Sequence, residues 1–369
     1  MIKPIRVLQV FARMDRGGAE TMIMNLYRNI DRLKVQFDFI VHTEEKCAYD
    51  EEIKALGGNI YSVPKYIGKN HFQYIKAWNE FFQKHPEYKI IHGHIRSTAA
   101  VYLKIAKKYG LVAIAHSHNI SSGNGVSAFI KNIMQYPIRN TADYFFACSM
   151  SAGKWLYGNK SLEKDNFYIL KNAIEVSDFV FNEGIRTRKR KELQVEGKFV
   201  IGHVGRFHPQ KNHIFLIDIF KEIRNVNKNS VLLLVGDGEH KETIGNKVDK
   251  LGLSESVIFT GARADVAELF QAMDVFLFPS KYEGLGMVAI EAQGAGLPCV
   301  MADTIPQEVF ITHNIVSLSL RDSIKTWAKA VRQFESMNIR QNNYKIMLEA
   351  GYDVKSNTSF LEEFYKENV

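Results

Sequence analysis

Residues 274–303 read DVFLFPSKYEGLGMVAIEAQGAGLPCVMAD. The first seven are apolar, short and rich in β-formers, as a buried strand requires. Gly284 and Gly286 then form a turn, and an Ala-rich apolar segment beginning near Gly286 reads as a helix. Residues 298–303 make a second apolar run of strand length. Strand, helix, strand is the crossover unit of a parallel α/β sheet. Two acids stand in it eight residues apart. Glu283 falls in the loop outside the helix, and Glu291 inside it, about a turn and a half along. Glu291 could cap or pair locally. Its apolar neighbours make an unpaired carboxylate costly, so it needs a purpose.

The same alternation runs along the whole chain. Strands are expected at 5–11, 37–43, 59–64, 88–94, 111–119, 143–149 and 166–172, with helices between them, including 19–30, 71–85, 97–110 and 126–140. A charged, weakly patterned stretch follows at 183–198. The scheme then restarts with strands at 199–207, 230–238, 256–262, 274–280 and 298–303, and ends in helices near 321–350 and 356–367. The class is α/β, with two Rossmann-like parallel-sheet domains joined near 173–198.

Composition agrees. A chain of 369 residues exceeds one ordinary core. With 46% apolar and 24% charged residues it is globular and not disordered. No apolar run has the length of a membrane span, and the first residues read as a strand, not a leader. Cys47, Cys148 and Cys299 lie far apart, which argues against disulfides and a zinc site and for a reducing cytoplasm. The net charge of +8 is uneven: residues 1–180 hold 24 Lys and Arg against 16 Asp and Glu, and the rest hold 24 of each. The first half should meet something anionic.

Four places could carry chemistry. RGGAE (16–20) sets Gly17 and Gly18 between a strand and a helix, where free amides suit an anion; the plain reading is a tight turn, and no G-x-G-x-x-G fingerprint is present. GRFHPQKN (205–212) follows a strand, so Arg206 and Lys211 would lie at the carboxyl end of the sheet, suited to a diphosphate; either alone would be a solvated charge. The turn at 283–287 offers the amides of Gly284, Leu285, Gly286 and Met287, while Glu283 and Glu291 offer acceptors to sugar and ribose hydroxyls. AHSHN (115–119) puts His116 and His118 at a strand end, and His92 and His94 repeat this one strand earlier. A lone His is more often structural, and no acid completes a metal set here.

GGAE near the start, GR-x₄-K after the mid-chain strand, VGDG, and E-x₇-E followed by GAGLP together resemble glycosyltransferase family 4. The motifs fall in the family's order over nearly the whole chain. SKYEGLGMVAIEAQGAGLPCV and TIPQEV are most similar to the branch that builds capsular polysaccharides and exopolysaccharides. The resemblance implies the GT-B fold: an acceptor domain at 1–180, a nucleotide-sugar domain at 181–350, a cleft between them, and a C-terminal helix at 351–369 crossing back to the first domain. It implies a retaining hexosyltransferase moving a hexose or N-acetylhexosamine from a UDP-sugar. Glu283 would meet the donor sugar and Glu291 the ribose. Arg206 and Lys211 would hold the diphosphate with amides at Gly18 and Leu285–Met287. His116 would lie near the reacting carbon, and the segment carrying Arg263 near the base. Asp237 has no assigned role. With no D-x-D motif, neither a metal nor another cofactor is expected.

The acceptor is expected on the basic half, as a lipid-linked saccharide at the inner leaflet of the membrane. On 65–82, Lys65, Lys69 and Lys76 alternate with Tyr66, Phe72, Tyr74, Trp78, Phe81 and Phe82, which suits an anionic membrane surface or an ordinary core equally. The enzyme would then be cytoplasmic and peripheral to that membrane. The rivals are a UDP-sugar epimerase and a non-catalytic nucleotide-sugar-binding protein. A nucleic-acid partner is disfavoured by the lack of a recognition motif or basic stripe, and a dehydrogenase by the missing dinucleotide fingerprint.

Overall fold

The structure is a computed structural model that describes residues 3–119, 125–336 and 340–369. The chain divides into two compact units, one running up to Ile174 and resuming at Asp353–Val369, the other spanning Glu175–Tyr352. In the first, β1 (Ile5–Phe11), β2 (Val35–Val41), β3 (Ile60–Ser62), β4 (Ile90–Gly93), β5 (Val112–Ser117), β6 (Tyr144–Ala147) and β7 (Phe167–Ile169) form one sheet in the order β3-β2-β1-β4-β5-β6-β7. In the second, β8 (Phe199–Val204), β9 (Ser230–Val235), β10 (Val257–Gly261), β11 (Val275–Phe278), β12 (Cys299–Ala302) and β13 (Ile315–Leu318) form a sheet in the order β10-β9-β8-β11-β12-β13. Every strand pair is parallel. Parallel strands are covered on both faces, so β2, β4, β9, β11 and β12 are buried end to end.

In each sheet the order reverses once, between β1 and β4 and between β8 and β11. At such a switch point the two following loops part, and a crevice opens beyond the carboxyl ends of the strands. The loops 205–212 and 279–286 leave the sheet at the second switch point.

The aromatic helix of the basic half is a core element. Tyr74, Trp78, Phe81 and Phe82 of the helix His71–Lys84 are buried among Leu8, Val10, Ile91 and Tyr102. Only Phe72 on this helix is an exposed large apolar residue. Of the two readings open for these aromatics, Tyr74, Trp78, Phe81 and Phe82 follow the ordinary core. Four aromatics at spacings of three and four residues make one stripe, and the sheet provides a dry surface that satisfies it.

The stretch at 183–198 holds the helix Glu183–Glu192. Its pattern is weak because charges, not apolar residues, dock it. Lys189 is ion-paired to Asp265, Glu192 and Glu268, and Arg186 and Arg190 are paired to Asp274. The helices expected near 321–350 are two, Ile324–Arg332 and Tyr344–Glu349; residues 337–339 of that range lie outside the described residues. The C-terminal helix Val354–Glu367 buries Val354, Leu361, Phe364 and Tyr365 in the core of the first unit, with Val7, Phe37 and Phe146.

Candidate active site

The second unit's site forms where the loops after β8 and β11 are laced together. Lys281 N–H donates to the Gln210 carbonyl at 2.8 Å, and Asn212 Nδ2 donates to the Pro279 carbonyl at 3.1 Å. Gln210 Nε2 donates to the Tyr282 carbonyl at 2.9 Å and to Glu283 Oε2 at 3.2 Å. Lys211 Nζ lies 2.7 Å from Glu283 Oε1, with side-chain exposures of 16% and 7%. The same ammonium stands 5.1 Å from the centre of the Phe278 ring. Lys211 and Glu283 thus hold each other across the switch point.

The loop after β9 braces this arrangement from behind. Gly236 and Gly238, the glycines of VGDG, have φ of 138° and 159°. A Cβ on Gly236 would meet the Gly205 carbonyl oxygen at 2.1 Å, and one on Gly238 the Phe207 carbonyl oxygen at 2.6 Å. Backbone must touch backbone here, which only glycine permits. Asp237 accepts from the Gly238 amide at 2.8 Å and faces Lys241 at 3.3 Å, a local loop role.

These loops border a cavity of about 510 Å³, the size of a small-ligand site. Arg206, Lys211, Glu283, Gly286, Met287 and Glu291 are among its lining residues. Gly286 caps the helix Met287–Gly294 in the left-handed region at φ 88°, so the first amides of that helix border the cavity. Glu291 lines it from inside the helix. Its carboxyl has no hydrogen-bond or ion-pair partner among the described residues, and burial pushes its pKa up to about 7. Arg206 is 74% exposed at its side chain and pairs with Glu239 Oε2 at 3.2 Å. Exposed pairs are weak, so the guanidinium is free to exchange partners.

Arg263 is not among the residues lining the cavity; Ala264, Val266 and Ala267 are. Its guanidinium is tied to Asp265 at 2.6 Å and Glu192 at 3.0 Å. Gly284 and Leu285 also lie outside the lining. In the first unit, Gly17 caps the helix Gly18–Asn29, but Glu20 folds back over it: Glu20 Oε2 comes within 2.3 Å of where a Gly17 Cβ would be. Burial raises the Glu20 pKa. A carboxyl already occupies that helix terminus.

The four histidines gather at the carboxyl ends of β4 and β5, beside the first switch point. Their rings lie at centroid distances of 4.2 to 5.2 Å, stacked except for the tilted pair His94–His116. Gln9 fixes their protons. Its Oε1 can only accept, so His94 Nε2–H donates to it at 2.9 Å. His94 Nδ1 then accepts from His118 Nε2–H at 2.7 Å, which leaves a lone pair on His118 Nδ1. Gln9 Nε2 donates to the Tyr365 oxygen at 3.4 Å, Tyr365 O–H donates to His92 Nδ1 at 2.7 Å, and His92 Nε2–H donates to His116 Nδ1 at 3.2 Å. His116 Nε2 therefore carries a proton. Both terminal atoms, His116 Nε2 and His118 Nδ1, are buried with no partner among the described residues. Desolvation holds all four rings neutral, with His92 and His118 lowered to about 3.

His116 itself is 2% exposed inside the end of β5, and His118, just beyond the strand, is the more exposed of the two. His92, His94 and His116 bring ligand atoms within 4.8 Å of one another. Both nitrogens of His92 and of His94 already serve the network, and a cation there would lack a carboxylate. Sequence reasoning missed Gln9, Gln210 and Tyr365. Gln210 lay inside the GRFHPQKN motif as a signal; Gln9 is a polar residue in an apolar strand; Tyr365 gave none.

Comparison with known proteins assigns this architecture to a class. Residues 16–178 match Glycosyltransferase Family 4, and residues 185–352 match Glycosyl transferases group 1. The Bacillus subtilis (strain 168) protein named as glycosyltransferase EpsF is 32% identical over 368 residues, covering 98% of this chain and 96% of that one. The chain belongs to this glycosyltransferase family. An Escherichia coli UDP-Gal:alpha-D-GlcNAc-diphosphoundecaprenol alpha-1,3-galactosyltransferase is 26% identical over 210 residues, 54% of each chain. The solved structure of Anabaena HepE with UDP-glucose shares the fold at a TM-score of 0.71 and 19% identity, covering 98% of this chain and 100% of that one. The GT-B architecture, two Rossmann-like domains with parallel sheets, is thus shared.

Proposed function

We propose that the protein is a retaining glycosyltransferase that moves a hexose or N-acetylhexosamine from a UDP-sugar to a lipid-linked saccharide, in capsular polysaccharide or exopolysaccharide synthesis. The observation that carries this reading is the unpaired Glu291 carboxyl in the cavity that Lys211, Glu283 and the helix terminus at Met287 also line. A carboxylate without a partner suits two vicinal ribose hydroxyls, which both donate. Lys211, the exposed Arg206 and the helix amides suit the diphosphate. Glu283 keeps lone pairs free for the donor sugar after taking its bonds from Lys211 and Gln210. The donor named for the E. coli relative and the ligand of the Anabaena structure support uridine. The diphosphoundecaprenol of that relative supports the lipid carrier.

Retention is what the family resemblance implies, and the roles of the two acids select the route to it. If Glu291 holds ribose, it cannot pair with Glu283 for double displacement. The departing diphosphate oxygen takes the acceptor's proton on the same face, and the new glycosidic bond forms as the bond to phosphate breaks. Arg206, Lys211 and the helix dipole stabilise the charge that develops on the leaving group. The family resemblance gives His116 a place near the reacting carbon or the donor sugar. No step needs a metal or other cofactor.

The test is thermal stabilisation by UDP, GDP, ADP and UDP-sugars, on wild type and on Glu291→Ala. Uridine-selective stabilisation lost in the variant is the expected result; no shift with any nucleotide would sink the reading. UDP released only with acceptor present separates a transferase from an epimerase and from a silent binder. NMR of the product's anomeric proton reports retention, and turnover unchanged by chelator reports metal independence.

A further inference from the structure

The first unit leaves one apolar helix face uncovered. On the helix Val126–Gln135 and the turn after it, Phe129 is 65% exposed, Ile130 51%, Ile133 58% and Tyr136 60%. Their spacing of one, three and three residues puts them in one stripe. Elsewhere among the described residues, exposed large apolar side chains come singly or in loose pairs. A contiguous stripe of this kind is a contact surface.

Charge says what covers it. From Tyr88 to Ala142 the chain carries Lys89, Arg96, Lys104, Lys107, Lys108, Lys131 and Arg139, and not one Asp or Glu. The helix Arg96–Lys108, which holds four of these seven, Arg96, Lys104, Lys107 and Lys108, packs against the helix Val126–Gln135. Lys104, Lys108 and Lys131 are exposed and have no ion-pair partner among the described residues. Apolar side chains with unpaired cations and no acid are the complement of a leaflet bearing anionic headgroups, where the apolar stripe enters the acyl boundary and the cations meet phosphates.

We propose that the Phe129–Ile130–Ile133–Tyr136 face docks on an anionic membrane surface, with Lys104, Lys108 and Lys131 as its electrostatic anchors. It rests on the lipid-linked acceptor proposed above, and it places the membrane contact on this helix instead of on the aromatic helix His71–Lys84.

The experiment is flotation of the full chain with phosphatidylcholine vesicles, with and without phosphatidylglycerol, at low and high salt. Two variants accompany it, Phe129→Ser/Ile133→Ser and Lys104→Glu/Lys108→Glu/Lys131→Glu, each checked for an unchanged melting temperature. Wild type should float with the anionic vesicles and less so in salt, and each variant should bind about tenfold or more weakly. Absence of wild-type binding, or equal binding by both variants, overturns the proposal. So does a wild-type dimer that the apolar variant dissociates without any vesicle binding, because the occupant is then a second copy. Uridine stabilisation measured alongside keeps the two readings apart: binding without it removes the donor assignment and keeps the face, and the reverse removes the face alone.

Discussion

Glu291, raised to about 7 by burial, changes charge near neutrality. Between the ordinary value of 4.5 and about 7 the folded chain keeps a proton that the unfolded chain has lost. Stability therefore falls as pH rises through that window and is level above it. The melting temperature of the ligand-free protein should show this decline, and Glu291→Gln should remove it. UDP affinity should run the other way, rising toward pH about 7 as the accepting carboxylate forms, and the same substitution should flatten it. A calorimetric titration across that range checks the sign. Gln9 gives a second residue-scale expectation. Gln9→Leu removes the group that fixes both histidine chains, so His118 Nδ1 and His116 Nε2 lose their defined protonation. Imidazole ¹⁵N shifts should report mixed tautomers, and kcat should fall by about tenfold while KM for the donor holds. Glu291 was legible from its position on a helix of apolar neighbours. The pairing of Lys211 with Glu283 was not, because residues 72 positions apart meet only once two loops leave adjacent strands.

At the scale of elements, the glycine contacts after β9 fix the loop that carries Arg206 and Lys211. Gly236→Ala places a Cβ against the Gly205 carbonyl and a side chain at a φ that L-residues avoid, so both melting temperature and UDP affinity should drop. Gly245→Ala is the matched control. It sits in the helix Lys241–Lys250 with nothing near its Cβ, and should stabilise by about 0.5–1 kcal/mol without changing affinity. The helix His71–Lys84 supplies another measurement. Trp78→Ala should cost about 3–5 kcal/mol in denaturant unfolding, the value of a buried aromatic, whereas an exposed membrane anchor would cost almost nothing. Amphipathic spacing told that this segment is a helix with one apolar face. It could not tell whether a sheet or a lipid surface covers that face, since both are dry.

For the whole molecule, the C-terminal helix Val354–Glu367 closes a core begun at β1, with its side chains against Val7 and Phe37. A chain ending at Tyr352 should expose that core, bind hydrophobic dye and lose the cooperative melting of the first unit. Residues 175–352 should still unfold cooperatively on their own, because they form one of the two compact units. The sequence by itself determined the α/β class, the strand series from β1 to β12, the glycine turn and the motifs that place the chain among glycosyltransferases. The class, the strands and the turn follow from periodicity and turn chemistry, which are local, and the motifs act through a family resemblance. It missed β13 and the helix Glu183–Glu192, whose patterns are short or masked by charge. Tertiary structure alone decided the strand order and its two switch points, the pairing of Lys211 with Glu283, the tie of Arg263 to Glu192, and which apolar helix stays uncovered. Those depend on contacts between residues far apart in the chain, and such contacts are fixed only when both sheets have formed and each apolar face has found, or failed to find, a partner.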